Sequence, residues 1–171
     1  MAELAVTAIG ADRPGIIARV TEVLYDHGGN LLDSSMTILA GHFAIMLLVE
    51  TDAAPETLER DLSERTADLG LVVSVRPVGA GAQTAPATHV VSVYGSDRPG
   101  IVHEVAEVLF AKGVNVTDLT TRVLGEGGDV YAMMMEVSLP EGVDPDELSG
   151  QISAAVPDVE VSVHPLDVET F

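Results

Sequence analysis

The sequence predicts an α+β protein built from two copies of one β-α-β-β-α-β unit. Three observations predict it: a repeated motif, a helix with one apolar face after each copy of the motif, and strand pairs around short glycine turns. The motif Asp-Arg-Pro-Gly-Ile begins at Asp12 and again at Asp97. Identical residues continue at the same spacing, as with Asn30 and Asn115. A repeat of this length indicates that the same structural unit occurs twice.

The first half of each copy predicts a strand and a helix. An apolar, β-branched stretch over 4–9 or 88–94 is typical of a strand and runs into glycine. The next segment has apolar residues at helical spacing, so one face should pack on a sheet. These residues are Ile16, Ile17, Val20, Val23 and Leu24, and Ile101, Val102, Val105, Val108 and Leu109. Gly28 and Gly113 are expected to end the helices.

The second half of each copy predicts a hairpin, a helix and a strand. The hairpin strands are expected over 31–39 with 42–50, and over 116–124 with 129–138. A second helix should start near Pro55 or Pro145, because proline suits the first helical turn. A last strand follows with alternating apolar residues. This order is that of the ferredoxin-like fold, an antiparallel four-stranded sheet with two helices on one face.

The repeat also predicts the domain organisation. A stretch of small residues and one proline, without apolar periodicity, separates the copies and is typical of a linker. Units of this size bury a modest fraction of their surface, so mutual packing or dimerisation would help their stability. We therefore expect a first domain, a linker, a second domain and a C-terminal tail over 1–78, 79–87, 88–165 and 166–171.

Charge and composition exclude several classes of function. Eight basic against 27 acidic residues give a formal net charge of −19, which disfavours direct nucleic-acid binding and suits solubility or docking on a basic protein. Cysteine is absent, which excludes disulfides and thiol catalysis. No apolar run reaches the roughly 18 residues of a membrane span, and no signal-type segment opens the chain. We expect a cytoplasmic protein without membrane association.

The turn between the first strand and first helix is the candidate binding site of each copy. A helix N-terminus offers unpaired N–H groups to an anion, and the motif glycine lets a ligand approach them. The motif aspartate can accept hydrogen bonds from an ammonium group, and the asparagine opening the second strand can donate and accept. The candidate ligand-binding residues are Asp12, Gly15 and Asn30, with Asp97, Gly100 and Asn115.

The same residues also allow a purely structural interpretation. The aspartate would cap the helix, the proline would start it, the glycine would relieve crowding, and the asparagine would serve a tight turn. The residues alone leave both interpretations open.

The motif, the apolar helix after it and the following Gly-X-Asn together resemble the ACT-domain family, twice over nearly the whole chain. Two ACT domains with little else resemble the regulator group of the glycine cleavage system. The resemblance implies a regulator that pairs, binds a small amino acid between ACT domains and biases contact with a protein partner. It implies no catalysis or cofactor. Both copies have Asp where serine-sensing ACT domains can have Asn, so the amino acid stays open.

Other sites and functions have weaker support. The five histidines are scattered and do not form a metal-binding pair: His27, His42, His89, His103 and His164. Three consecutive methionines from Met133 to Met135 suggest core filling with an adaptable surface. An acylphosphatase-like enzyme would need a different loop after the first strand, and an RNA-binding sheet would need paired aromatics. The main alternative is an interaction module without a ligand.

Overall fold

The structure is a computed structural model that describes residues 1–79 and 84–167. The chain divides into two compact units between Ala82 and Gln83. Part of the expected linker (residues 80–83) and part of the expected tail (residues 168–171) lie outside the described residues. The domain limits given above therefore stay predictions.

Each unit has the predicted order of helices and strands. The first contains β1 (Ala2–Ala11), α1 (Ile16–Asp26), β2 (Asn30–Leu39), β3 (His42–Thr51), α2 (Pro55–Arg65) and β4 (Val72–Pro77). The second contains β5 (His89–Ser96), α3 (Ile101–Ala111), β6 (Asn115–Leu124), β7 (Val130–Ser138), α4 (Pro145–Ala155) and β8 (Val159–Pro165). A short 3₁₀ helix, Ala67–Leu69, precedes β4 and was not expected from the sequence.

The two sheets have the same topology, which confirms the ferredoxin-like fold. Their strand orders are β2-β3-β1-β4 and β6-β7-β5-β8, and all neighbours are antiparallel. Even an irregularity repeats: the register shifts after Leu31 in β2 and after Val116 in β6. The repeated sequence therefore folds into repeated structure at the level of single residues.

Each unit has its own core between one face of its sheet and its two helices. The first core includes Leu4, Val6, Val20, Val23, Phe43, Leu47, Leu58 and Leu62, and the second includes Val91, Val93, Val105, Leu109, Met133, Met135, Leu148 and Ile152. The methionine run confirms the predicted alternation, because Met134 is 56% exposed whereas its neighbours are buried. Burial of these side chains is the main stabilising term of each unit.

Glycine ends the first helix of each unit as predicted. Gly28 has a φ of 64° and Gly113 a φ of 69°, a conformation that glycine adopts without strain. The Gly28 amide donates to Tyr25 O and the Gly29 amide to Leu24 O, at 2.9 and 2.8 Å. This pair of bonds satisfies two carbonyls of the last helical turn. It also directs the chain into β2.

Candidate ligand-binding turns

The motif glycine is the N-cap of the first helix in each unit. Gly15 has a φ of 93° and Gly100 a φ of 97°, and their carbonyls accept the first helical hydrogen bonds, from the amides of Arg19 and Glu104 at 3.0 and 2.9 Å. Neither N-cap provides a side-chain hydrogen bond to its helix. The amides of the first helical turn thus lack the partner that Ser, Thr, Asp or Asn would supply at this position.

The structural interpretation of Asp12 and Asp97 as helix caps, one of the two left open by the sequence, is wrong. Gly15 and Gly100 occupy the N-cap position, three residues beyond each aspartate, so the carboxylates are not at the place from which a cap reaches the helix. Both aspartates are exposed. Their backbone amides instead donate to the hairpin turns, Asp12 to Gly41 O at 2.9 Å and Asp97 to Asp129 O at 3.2 Å.

Within one unit, the motif turn and the candidate asparagine lie at opposite ends of the sheet. Asn30 opens β2 opposite Glu50, which in turn lies opposite Glu3 at the start of β1. Asp12 follows the end of β1, nine residues away and roughly 30 Å at the rise of a strand. Asn115 opens β6 in the same way. A single unit therefore does not bring the sequence-predicted residues together.

In the second unit, an ion pair lies against the motif turn. Arg98 donates to both carboxylate oxygens of Glu104, at 3.1 Å from Nη1 and 2.5 Å from Nη2. A Cβ placed on Gly100 would lie 3.6 Å from Glu104 Oε1 and 3.9 Å from Arg98 Nη1. These hydrogen bonds lower the pKa of the Glu104 carboxyl, although partial burial opposes the shift. Glu104 is therefore an anion already held beside the turn.

In the first unit, the motif turn is open. Arg19, which corresponds to Glu104 in the repeat, donates to Arg65 O at 2.7 Å and to Asp68 Oδ1 at 3.3 Å. Arg13 is directed to the same segment and donates to Asp68 O at 3.4 Å. A Cβ on Gly15 would meet no heavy atom within 4 Å beyond its chain neighbours and its own helix backbone.

Sequence reasoning missed this difference between the units. The signal was present, because the 85-residue offset that aligns the motifs also aligns Arg19 with Glu104. A charge reversal in the first helical turn changes the electrostatics of a helix N-terminus.

A second difference between the units lies at the start of the third strand of each, where Phe43 in β3 corresponds to Tyr131 in β7. Burial and the Asp97 carboxylate raise the pKa of the Tyr131 hydroxyl.

Comparison with known proteins identifies the family of both units. Residues 3–76 match one model of the ACT domain, and residues 89–148 match another. The chain belongs to the ACT-domain family. The predicted resemblance is confirmed, and the motif turns described above are the β1–α1 and β5–α3 turns of two ACT domains.

Relatives of this ACT-domain chain include single-unit and longer proteins. A UPF0237 protein of Methanopyrus kandleri is 40% identical over 79 residues, which are 44% of this chain and 88% of the relative. The glycine cleavage system transcriptional repressor of Escherichia coli K12 is 31% identical over 121 residues, 70% of this chain and 64% of that protein.

Solved structures show the same ACT-domain fold. An unknown protein from Galdieria sulphuraria has a TM-score of 0.82 at 25% identity, with 96% of this chain and 98% of that chain covered. A candidate glycine cleavage system transcriptional repressor has a TM-score of 0.69 at 19% identity, covering 96% of this chain and 97% of its own. At 19% identity, the similarity to this second structure shows only that the two proteins have the same fold.

Each ACT domain exposes apolar side chains beside its edge strand. In the first, a groove of about 550 Å³ lies between α1 and β2 and is lined by Ala18, Thr21, Glu22, Leu24, Tyr25, Gly29 and Leu31. Tyr25 is 81% exposed, and its counterpart Phe110 in the second ACT domain is 80% exposed. Contiguous exposed apolar surface is typical of contact sites, and Tyr25 is part of such a groove.

Within residues 1–79 and 84–167, no group of three or more His, Cys, Asp or Glu side chains is arranged to hold a metal ion. Among those residues, too, no helix combines the length and the apolar character needed to cross a bilayer.

Proposed function

We propose that this protein is a regulator that binds a small amino acid at its ACT domains and thereby changes how it contacts a partner protein. The main support is the motif turn, where an N-cap glycine leaves the amides of a helix N-terminus without a side-chain cap. A ligand carboxylate suits these amides. An exposed Asp12 or Asp97 beside them suits the ligand ammonium. Membership of the ACT-domain family supports regulation rather than catalysis.

The ligand site of the proposal needs two ACT domains. Asn30 and Asn115 lie at the sheet end away from the motif turn of their own unit. They can meet a ligand held at such a turn only if another ACT domain presents them. The full candidate set therefore combines Asp12 and Gly15, or Asp97 and Gly100, with an asparagine from a paired domain. Pairing and ligand binding are then linked, so ligand binding stabilises the paired state.

The likeness to glycine cleavage system repressors suggests where the regulator acts. Since the E. coli repressor is named for the glycine cleavage system, we propose a role in glycine or one-carbon metabolism. The acidic net charge suits a basic protein partner better than nucleic acid. The partner would respond to the pairing of ACT domains, which the amino acid biases.

The proposal is tested by amino-acid binding. In a thermal-shift screen of the twenty common amino acids, we expect one or a few small ones to raise the melting temperature, because a ligand of the native state stabilises it. Isothermal titration calorimetry then compares the unmodified chain with Asn30→Ala/Asn115→Ala. Loss of a hydrogen bond worth about 0.5–1.5 kcal/mol should weaken binding about two- to tenfold, with little change in unfolding.

The matched control is Ser35→Ala/Thr120→Ala, which changes exposed polar residues at equivalent positions of the same two strands. This control should bind like the unmodified chain. Undiminished binding by the asparagine variant would refute the asparagines as ligand residues. Absence of binding by the unmodified chain to every amino acid would favour the interaction module without a ligand.

We further propose that the chain self-associates, as a dimer in the simplest case. β2 and β6 are edge strands whose residues are almost all exposed, and an exposed edge favours pairing with another chain. Apolar side chains on the first edge, such as Met36 and Ile38, are about half exposed. Light scattering at high micromolar concentration should give at least twice the 17.8 kDa chain mass. A strict monomer under these conditions would contradict self-association.

A further inference from the structure

The motif turns of the two ACT domains differ in how much of the turn is already occupied. In the second, the Arg98–Glu104 ion pair lies within 4 Å of the position of a Cβ on Gly100. In the first, the same position on Gly15 has no such neighbour, and both arginines near it are directed to Asp68. The backbone of the two turns is nearly identical, with φ values of 93° and 97°. At the motif glycine, the difference between the turns therefore lies in the side chains of Arg98 and Glu104.

The ion pair in the second turn is strongly held. Arg98 Nη1 donates to Glu104 Oε1 and Arg98 Nη2 donates to Glu104 Oε2, and such two-point, charge-assisted bonds are stronger than neutral ones. The two side chains are 32% and 35% exposed, so solvent only partly screens the pair. Arg98 Nη1 also donates to Pro99 O at 3.3 Å, which ties the pair to the motif.

A ligand carboxylate would meet two obstacles at Gly100. The Glu104 carboxylate carries the same negative charge as the incoming group. It lies in the first turn of α3, where it already interacts favourably with the partial positive charge of the helix N-terminus. Its partner Arg98, the nearest cation, is already neutralised. At Gly15, by contrast, the first turn of α1 contains no acidic residue. Arg19 lies in that turn instead, and its charge is paired with Asp68, an acid outside the turn.

We infer that the Arg98–Glu104 ion pair closes the second motif turn to carboxylate ligands, and that the first motif turn, at Gly15, is the one that receives the amino acid's carboxylate. This inference rests on the proposed function and narrows it from two equivalent turns to one. The residue pair Arg19 and Glu104 decides which turn is open.

The test is an NMR titration of the full chain with two named probes, glycine as a zwitterion and sodium acetate as a bare carboxylate. Backbone amides of residues 15–18 should shift on addition of either probe, whereas those of residues 100–103 should not. In Glu104→Arg, which copies the first unit, amides 100–103 should begin to shift. Because this variant lacks the charge-assisted Arg98–Glu104 bond that closes the second turn, the apparent affinity of that turn for either probe should be at least about tenfold higher than in the unmodified chain.

Two further variants separate the ion pair from a general effect of charge. Glu107→Gln removes one negative charge from the exposed surface of the same helix and leaves the ion pair intact, so amides 100–103 should stay unshifted. Arg19→Glu places a carboxylate in the first turn, so the shifts at residues 15–18 should weaken. The folded state of each variant is checked by the dispersion of its amide spectrum.

The outcomes distinguish this inference from the proposed function. Equal shifts at both turns of the unmodified chain, or a Glu104→Arg variant whose second turn stays silent, would overturn the inference. Acetate shifts confined to residues 15–18, with a gain in Glu104→Arg, would uphold the closure of the second turn to carboxylates by the ion pair, even if glycine and the other amino acids bind nowhere. Absence of binding by every amino acid would contradict the proposed function. Silence of both turns toward both probes in every variant would defeat both.

Discussion

Gly95 lies where the chain entering β8 crosses close to the end of β5. A Cβ on Gly95 would lie 2.6 Å from Asp158 O and 2.8 Å from Val159 Cα, both atoms of the backbone. Its counterpart Gly10 would place a Cβ 2.8 Å from Leu71 Cδ2, the end of a flexible side chain, and 3.3 Å from Gly70 O. The same substitution should therefore have different costs in the two units.

We expect Gly95→Ala to lower the free energy of unfolding by about 2 kcal/mol and Gly10→Ala by about 1 kcal/mol, because backbone yields less than a leucine side chain. Urea unfolding followed by circular dichroism measures both. Gly150→Ala is the control, since its Cβ would meet nothing within 4 Å and alanine favours a helix. Equal losses for Gly10→Ala and Gly95→Ala would contradict the crowding described here.

Some roles of single residues could not be predicted from the sequence. The motif glycine was correctly expected in the turn, but its role as N-cap with a positive φ depends on the path of the backbone, which composition does not reveal. Asp12 is of a residue type that often caps helices, but it does not occupy the N-cap position. The ion pair of Arg98 and Glu104 depends on rotamers, and only the comparison of the two copies contains a hint of it.

The second helices of the two units, α2 and α4, start with the same backbone and different caps. Asp144 accepts hydrogen bonds from the amides of Asp146 and Glu147, both at 2.9 Å. Ala54 occupies the same position before α2 and has no side chain that can cap. Both N-caps are extended, with ψ values of 138° and 125°. An aspartate at position 54 would therefore find the geometry that it has at 144.

We expect Asp144→Ala to destabilise the second unit by about 1 kcal/mol and Ala54→Asp to stabilise the first by about 0.5–1 kcal/mol. Amide hydrogen exchange resolves the two helices within one chain, so each effect can be assigned to its own unit. Asp144→Asn retains the acceptor and should restore most of the loss. Unchanged exchange in α4 of Asp144→Ala would show that the cap contributes no stability.

At the level of elements, periodicity predicted almost everything that a core requires. The helices α1 and α3 were predictable because most of their apolar residues share one buried face, although Ile17, which was expected on that face, is 41% exposed. β2 was predictable as a strand, whereas its exposure was not. Leu31, Met36 and Ile38 read as ordinary apolar strand residues, yet they are 45–50% exposed because β2 is at the sheet edge. Burial of an edge strand depends on what covers it.

The whole molecule has an uneven charge distribution between its units. Residues 1–79 contain 12 acidic and five basic residues, and residues 84–167 contain 14 acidic and three basic residues. Each unit places two acids directly opposite each other on neighbouring strands, Glu3 and Glu50 in the first unit and Asp118 and Glu136 in the second. At the position of the Asp118–Glu136 pair, the first unit has Asp33 opposite Leu48. Opposed like charges on neighbouring strands destabilise a sheet.

Salt should therefore stabilise this protein, and one substitution should reduce that dependence. Raising NaCl from about 0.01 to about 0.5 M shortens the screening length several-fold, so the melting temperature should rise. Glu136→Lys turns the opposed acids into an attractive pair and should raise the low-salt melting temperature by about 2–4 °C, with a smaller further gain from salt. Glu160→Lys makes the same change of net charge opposite Tyr94, where no acid faces it. Differential scanning calorimetry of both variants separates pairing from net charge, since equal gains would mean that the Asp118–Glu136 contact itself contributes nothing.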